Sequence, residues 1–118
     1  MNTIRRRFTF EAAHFLPNLH EGHKCRRVHG HTYVVEITVA ALVLNGAPRL
    51  DDGMVLDFAV LEGVVSPIIY GDNGLDHRLL NEAGSVGDYP PAVAMCANPT
   101  AELIAAYIAD RLEKGFTL

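Results

Sequence analysis

An α+β fold built on an antiparallel strand pair is predicted by three features of this sequence. Two segments near the N-terminus alternate with the period of strands, two later segments carry apolar residues at helical spacing, and the order is strand, strand, helix, helix. A length of 118 residues suits one domain, and 49% hydrophobic against 20% charged residues excludes a disordered or fibrous chain. We therefore read 1–118 as a single domain.

The first strand is expected over Thr3 to Ala13, where Phe8, Phe10 and Ala12 share one face and Thr9 and Glu11 the other. A turn-rich loop follows from Pro17 to Lys24. The strongest strand signal is His31 to Leu44, rich in β-branched residues, with Tyr33, Val35, Ile37 and Val39 on one face. Asn45-Gly46-Ala47-Pro48 and Asp51-Asp52-Gly53 mark turns.

Asp57 is placed to cap a helix whose apolar stripe is Phe58, Leu61, Val64, Val65 and Ile68, with Pro67 disturbing its last turn. A stretch rich in glycine and proline runs from Gly71 to Ala97 and holds Leu75-Asp76-His77 near its start. For the last helix, Asn98 is read as the cap and Pro99 as the first helical residue. Ala101, Ile104, Ala105, Ile108 and Leu112 form its stripe, which ends at about Lys114. Two strands alone make a thin sheet with an exposed edge, so further strands must come from elsewhere in the molecule or from other subunits.

Composition narrows the function. A net charge of −4 with a pI near 5.8 argues against a nucleic-acid binder working through a basic surface. No apolar run is long enough to span a bilayer, and the N-terminus, with Arg5, Arg6 and Arg7, lacks the apolar core of a signal peptide. The reading is a cytoplasmic protein with no membrane partner, in which Cys25 and Cys96 are reduced thiols.

Of six histidines, five (His14, His20, His23, His29 and His31) fall in one short stretch. His29 and His31 are two apart at the start of the second strand and so point to one face, in phase with Tyr33 and Val35. His14 is in phase with Phe10 and Ala12. If the strands pair antiparallel, the end of the first lies beside the start of the second and three imidazoles converge. Three nitrogen ligands with one position open is the arrangement of catalytic zinc. Gly30 between two of them leaves room for backbone or substrate. Two other readings stand beside this one: ordinary polar histidines at a strand end, and a closed structural site using His23 or Cys25 with His29 and His31. His20 and His23 lie among turn residues and are left unassigned. Cys25 is flanked by Lys24, Arg26 and Arg27, which favour a thiolate able to act as base or nucleophile. Cys96, in an apolar run, is read as structural.

Six motifs, in order and spacing, resemble the pyruvoyl-tetrahydropterin synthase superfamily. They are Phe10-Glu11-Ala12-Ala13-His14, Glu21-Gly22-His23-Lys24-Cys25, His29-Gly30-His31, Gly53-Met54-Val55-Leu56-Asp57-Phe58, Leu75-Asp76-His77-Arg78-Leu79-Leu80-Asn81, and Asn98-Pro99-Thr100-Ala101-Glu102. The spacing Cys-x-x-x-His-Gly-His is similar to the 6-carboxy-tetrahydropterin synthase branch of queuosine biosynthesis. The resemblance implies a tunnelling fold, an antiparallel sheet with two helices on one face, assembled as a homohexamer of two stacked trimers with active sites between chains. It implies zinc on His14, His29 and His31, Cys25 as catalytic base, Asp76 and His77 as an acid/base pair reaching the cysteine of another chain, and Thr100 against the pterin ring. Its implied chemistry is conversion of 7,8-dihydroneopterin triphosphate to 6-carboxy-5,6,7,8-tetrahydropterin with loss of acetaldehyde and triphosphate. The alternatives it leaves are the pyruvoyl product and an inactive, zinc-stabilised pterin-binding module. Two departures stand out: the stretch Gly84 to Ala97 is longer than the usual link, and the family's two further C-terminal strands, with a pterin-anchoring glutamate, have no counterpart among these 118 residues.

Overall fold

The computed structural model describes residues 1–81 and 91–117. Of the Gly84 to Ala97 segment singled out above, residues 84–90 lie outside the described residues. Strand β1 (Asn2–His14) and strand β2 (His29–Ala41) form a long antiparallel ribbon, and helix α1 spans Phe58–Tyr70. Two short strands follow, β3 (Arg78–Asn81) and β4 (Pro91–Cys96), before helix α2 (Ala101–Thr117). The sheet order is β2-β1-β3-β4.

The β1/β2 register runs without a break from Asn2 opposite Ala41 to His14 opposite His29. The alternation read from sequence is real on β1, where Phe8, Phe10, Ala12 and His14 are buried and Thr9 and Glu11 are exposed. β2 begins two residues earlier than expected and stops at Ala41, so Leu42 and Val43 leave the ladder and stand exposed. β3 runs parallel to β1, with Ala12 opposite Arg78 and Ala13 opposite Leu79, and β4 runs parallel to β3 through an irregular register. The sheet is therefore mixed, and β3 pairs with only the last residues of β1 on one edge of the ribbon.

Asp57 caps α1 as expected, its carboxylate accepting from the Ala59 N–H at 2.8 Å. The helix runs through Pro67 and ends at Tyr70. Its buried face is Leu61, Val65 and Ile69, whereas Phe58 is 48% exposed, so the stripe sits slightly rotated from the one read in sequence. At α2 the cap is Thr100, whose Oγ1 accepts from the Leu103 N–H at 3.3 Å. Asn98 is instead turned to a tertiary contact, accepting from the Asn18 N–H at 3.4 Å. Ile104 and Ile108 bury the helix against the rest, while Ala101 and Ala105 from the expected stripe are exposed.

One apolar cluster joins these elements: Phe8, Phe10 and Ala12 of β1, Ile37 of β2, Leu61, Val65 and Ile69 of α1, Leu75, Leu80, and Ile104 and Ile108 of α2. Among the described residues, the buried polar side chains are His14 and Asn81. Each sits where the β1 end meets the later part of the chain. The radius of gyration is 17.1 Å. A compact chain of this length has about 13–14 Å, the excess reflecting the projecting β1/β2 ribbon.

Candidate functional site

The antiparallel register places His14 opposite His29 and Ala12 opposite His31, so the three imidazoles meet at one end of the buried face. Their ring centroids lie 4.6 Å (His14 to His29), 5.2 Å (His14 to His31) and 4.8 Å (His29 to His31) apart. One nitrogen from each falls within 4.8 Å of the other two. His14 is buried, His29 half-buried and His31 exposed, so the cluster grades from core to solvent.

Backbone carbonyls orient two of the rings. His14 Nδ1 lies 2.8 Å from the Pro99 carbonyl, and His29 Nδ1 lies 2.7 Å from the Arg27 carbonyl. A carbonyl oxygen only accepts, so each Nδ1 carries the proton and each Nε2 keeps a free lone pair. His29 Nε2 is buried with no hydrogen-bond partner among the described residues. An unpartnered buried nitrogen is costly in an ordinary core and expected of a metal ligand. Burial is the main cause that lowers the His14 pKa, opposed by the Pro99 carbonyl and assisted by repulsion from His29 and His31. The net effect favours the neutral ring, the ligating form. Tyr33 stands behind it with its hydroxyl 3.3 Å from His14 Nδ1 and its ring stacked on Phe10, and burial raises its pKa to about 12. The donor set fits a divalent zinc-like ion with a position left open.

Cys25 lies in a single 3₁₀ turn, Lys24–Arg26. Its N–H donates to His23 Nδ1 at 3.0 Å and its carbonyl accepts from the Leu16 N–H at 2.8 Å. His23, unassigned from sequence, thus caps the turn that carries the thiol, and its ring rests edge-on against His20 with centroids 5.1 Å apart. The Leu16 contact ties this loop to the chain two residues past His14.

Asp76 and His77 form a second group, beside β1. His77 Nδ1 lies 2.8 Å from Asp76 Oδ2, while Asp76 Oδ1 accepts from the Glu11 N–H at 2.9 Å. The Glu11 carbonyl in turn accepts from the His77 N–H at 2.5 Å. His77 has φ 61°, a left-handed conformation costing a non-glycine residue roughly 1–2 kcal/mol, and these backbone bonds hold it there. The Glu11 N–H, and then the bond and charge of His77, keep the Asp76 carboxyl below its usual range. His77 is three-quarters exposed, with a side-chain accessibility of 75%. It borders an open cavity of about 440 Å³ shared with Glu11, Gly30, His31, Thr32 and Arg78. The pair directly precedes strand β3. Among the described residues, no hydrogen bond joins Cys25 to His77 within one chain.

A family model described as 6-pyruvoyl tetrahydropterin synthase matches residues 3–117. The chain belongs to that family. Relatives include the 6-carboxy-5,6,7,8-tetrahydropterin synthase of Synechocystis sp., 42% identical over 95% of this chain and 75% of the relative. The protein of the same name from Bacillus subtilis is 36% identical over 86% of this chain and 59% of its own length. That from Rickettsia typhi is 35% identical over 91% of this chain and 77% of its own. Membership in the pyruvoyl tetrahydropterin synthase family accounts for the α+β tunnelling fold.

Three details were not legible in the sequence. A glycine at position 30 is not demanded by the backbone, since a Cβ there would meet the Ala12 carbonyl at an ordinary 3.7 Å. Its space belongs to the cavity. Arg5 and Arg7 both pair with Glu36, and Arg6 pairs with Glu62, so that basic run is already matched by carboxylates. Thr100 serves as a helix cap, and its own hydroxyl proton stays available to donate.

Proposed function

We propose that this protein is a zinc-dependent carbon–carbon lyase converting 7,8-dihydroneopterin triphosphate to 6-carboxy-5,6,7,8-tetrahydropterin. One water is taken up, acetaldehyde and triphosphate leave, and the reaction belongs to queuosine biosynthesis in the cytoplasm. The observation that carries the reading is the convergence of His14, His29 and His31 with His29 Nε2 buried and unpartnered. The names of the relatives supply the substrate class.

His14, His29 and His31 would hold the zinc, which when bound supplies Lewis-acid polarisation of the substrate's side-chain hydroxyl oxygens. Cys25, as thiolate, takes a proton from the side chain of the substrate. Asp76 accepts from His77 Nδ1 and stabilises the imidazolium, whose Nε2–H returns a proton to the substrate and leaves the ring neutral. Positioned proton transfer of this kind contributes ~10²–10⁴-fold, so orientation of the substrate supplies much of the rest. Thr100 donates its hydroxyl proton to the pterin ring. Lys24 and Arg27, both exposed beside the thiol, give the positive field a triphosphate needs.

Cys25 and His77 meet across a subunit interface in a homohexamer of two trimers. Support comes from the extended ribbon and from apolar side chains left in solvent on it and just past its end, with Val34 60% and Leu42 80% exposed. The outer edge of β2, unpaired among the described residues, is a further pairing surface.

The test is incubation of zinc-loaded protein with 7,8-dihydroneopterin triphosphate, with product mass and acetaldehyde measured together. Equal amounts of carboxy-tetrahydropterin and acetaldehyde support the reading. A pyruvoyl product without acetaldehyde assigns the other branch, and unchanged substrate assigns a pterin-binding module without catalysis.

A further inference from the structure

Asn81 is completely buried, at 0% exposure, yet its side-chain amide is fully engaged. Its Oδ1 accepts from the Phe15 N–H at 3.0 Å, and its Nδ2 donates to the Phe15 carbonyl at 2.9 Å and to the Ala97 carbonyl at 3.0 Å. This pattern takes one acceptor and two donors in fixed directions, which among the side chains of this size only a neutral amide provides. Parallel pairing of β1 with β3 is recorded to Ala13 opposite Leu79, and two residues further in that register Phe15 would face Asn81. The Asn81 side chain continues the ladder just past the end of β1.

The two segments it joins are those that orient His14. Phe15 follows His14 directly, and Ala97 lies two residues before Pro99, whose carbonyl receives the His14 Nδ1–H at 2.8 Å. Asn81 therefore fixes the separation of the two ends of that bond. We infer that Asn81 is a positioning residue for the histidine site, setting the tautomer and aim of His14 without touching the ion or substrate. The inference rests on the reading of His14 as a zinc ligand. A purely structural Asn81 would stabilise the fold and leave the site of the folded protein unchanged.

Two measurements on the full chain decide it. In the zinc-free wild type, ¹⁵N NMR of the histidine rings should show His14 protonated at Nδ1, and protonation at Nε2 instead overturns the inference whether or not any variant folds. Zinc affinity is then measured by competition with a chelator for wild type, Asn81→Ala and, as control, Val65→Ala, which opens a cavity in the core against α1 and removes no hydrogen-bonding group. Outer-sphere partners of metal-ligating histidines are worth about 10–100-fold in affinity, so Asn81→Ala should weaken zinc by about tenfold or more and mix the His14 tautomers. Val65→Ala should lower the melting temperature and leave zinc affinity as in wild type. Zinc affinity in folded Asn81→Ala equal to wild type overturns the positioning role while the three-histidine site stands. Absence of zinc binding in wild type overturns both.

Discussion

His14 and His29 are direct partners in the β1/β2 register, their ring centroids 4.6 Å apart, and each donates Nδ1–H to a backbone carbonyl. The carbonyls come from different places, Pro99 before α2 for His14 and Arg27 before β2 for His29. The end of a strand ribbon is thereby converted into a fixed pair of nitrogen lone pairs, with His31 completing the set.

Cys25→Ala should abolish turnover, a loss of at least about 10²-fold, while stoichiometric zinc stays bound. The thiol is assigned to proton transfer and the three imidazoles to the ion. Metal analysis and product formation on the same sample check it, and loss of zinc from the variant would make Cys25 a ligand.

Asp76 links charge to stability. Its pKa is lowered from 3.8, first by the Glu11 N–H, so its ionised form contributes stability that is full above 3.8 and lost as pH falls through the folded value. Asn has no proton to gain, so Asp76→Asn should flatten the acid limb of a denaturation-versus-pH series below about pH 4. The same variant should lower kcat by about 10²-fold at neutral pH, because His77 loses the carboxylate that orients its Nδ1 proton. An acid limb identical to wild type counts against the Glu11 contact.

Core packing sets a further expectation on α1. Ile69 is fully buried while Ile68 is half-buried, so Ile69→Ala should cost about 2–5 kcal/mol in denaturant unfolding and Ile68→Ala clearly less. Equal losses would return the helix to the face that its sequence spacing suggests.

The parts of this molecule set by strong periodicity could be read from the chain. The alternation of Phe8, Phe10, Ala12 and His14, and of His29, His31 and Tyr33, carries both the ribbon and the convergence of the three imidazoles, since a period of two puts them on one face whatever surrounds them. The short strands could not be read that way. β3 buries Leu79, Leu80 and Asn81 consecutively, a run without alternation that only its neighbours make into a strand. Asn98-Pro99 carries a helix-start signal, but the Asn98 side chain is drawn to the Asn18 N–H and Thr100 caps instead. Asn81 and the Pro99 carbonyl were invisible for the same reason: their roles arise from contacts between residues 66 and 85 positions apart.

The most direct test of the account is zinc content of purified wild type beside His29→Ala. His29 supplies the buried nitrogen that has no hydrogen-bond partner among the described residues, so wild type should hold zinc stoichiometrically with the chain and His29→Ala should lose it while remaining folded by circular dichroism. A folded His29→Ala protein that keeps stoichiometric zinc would contradict the three-histidine site.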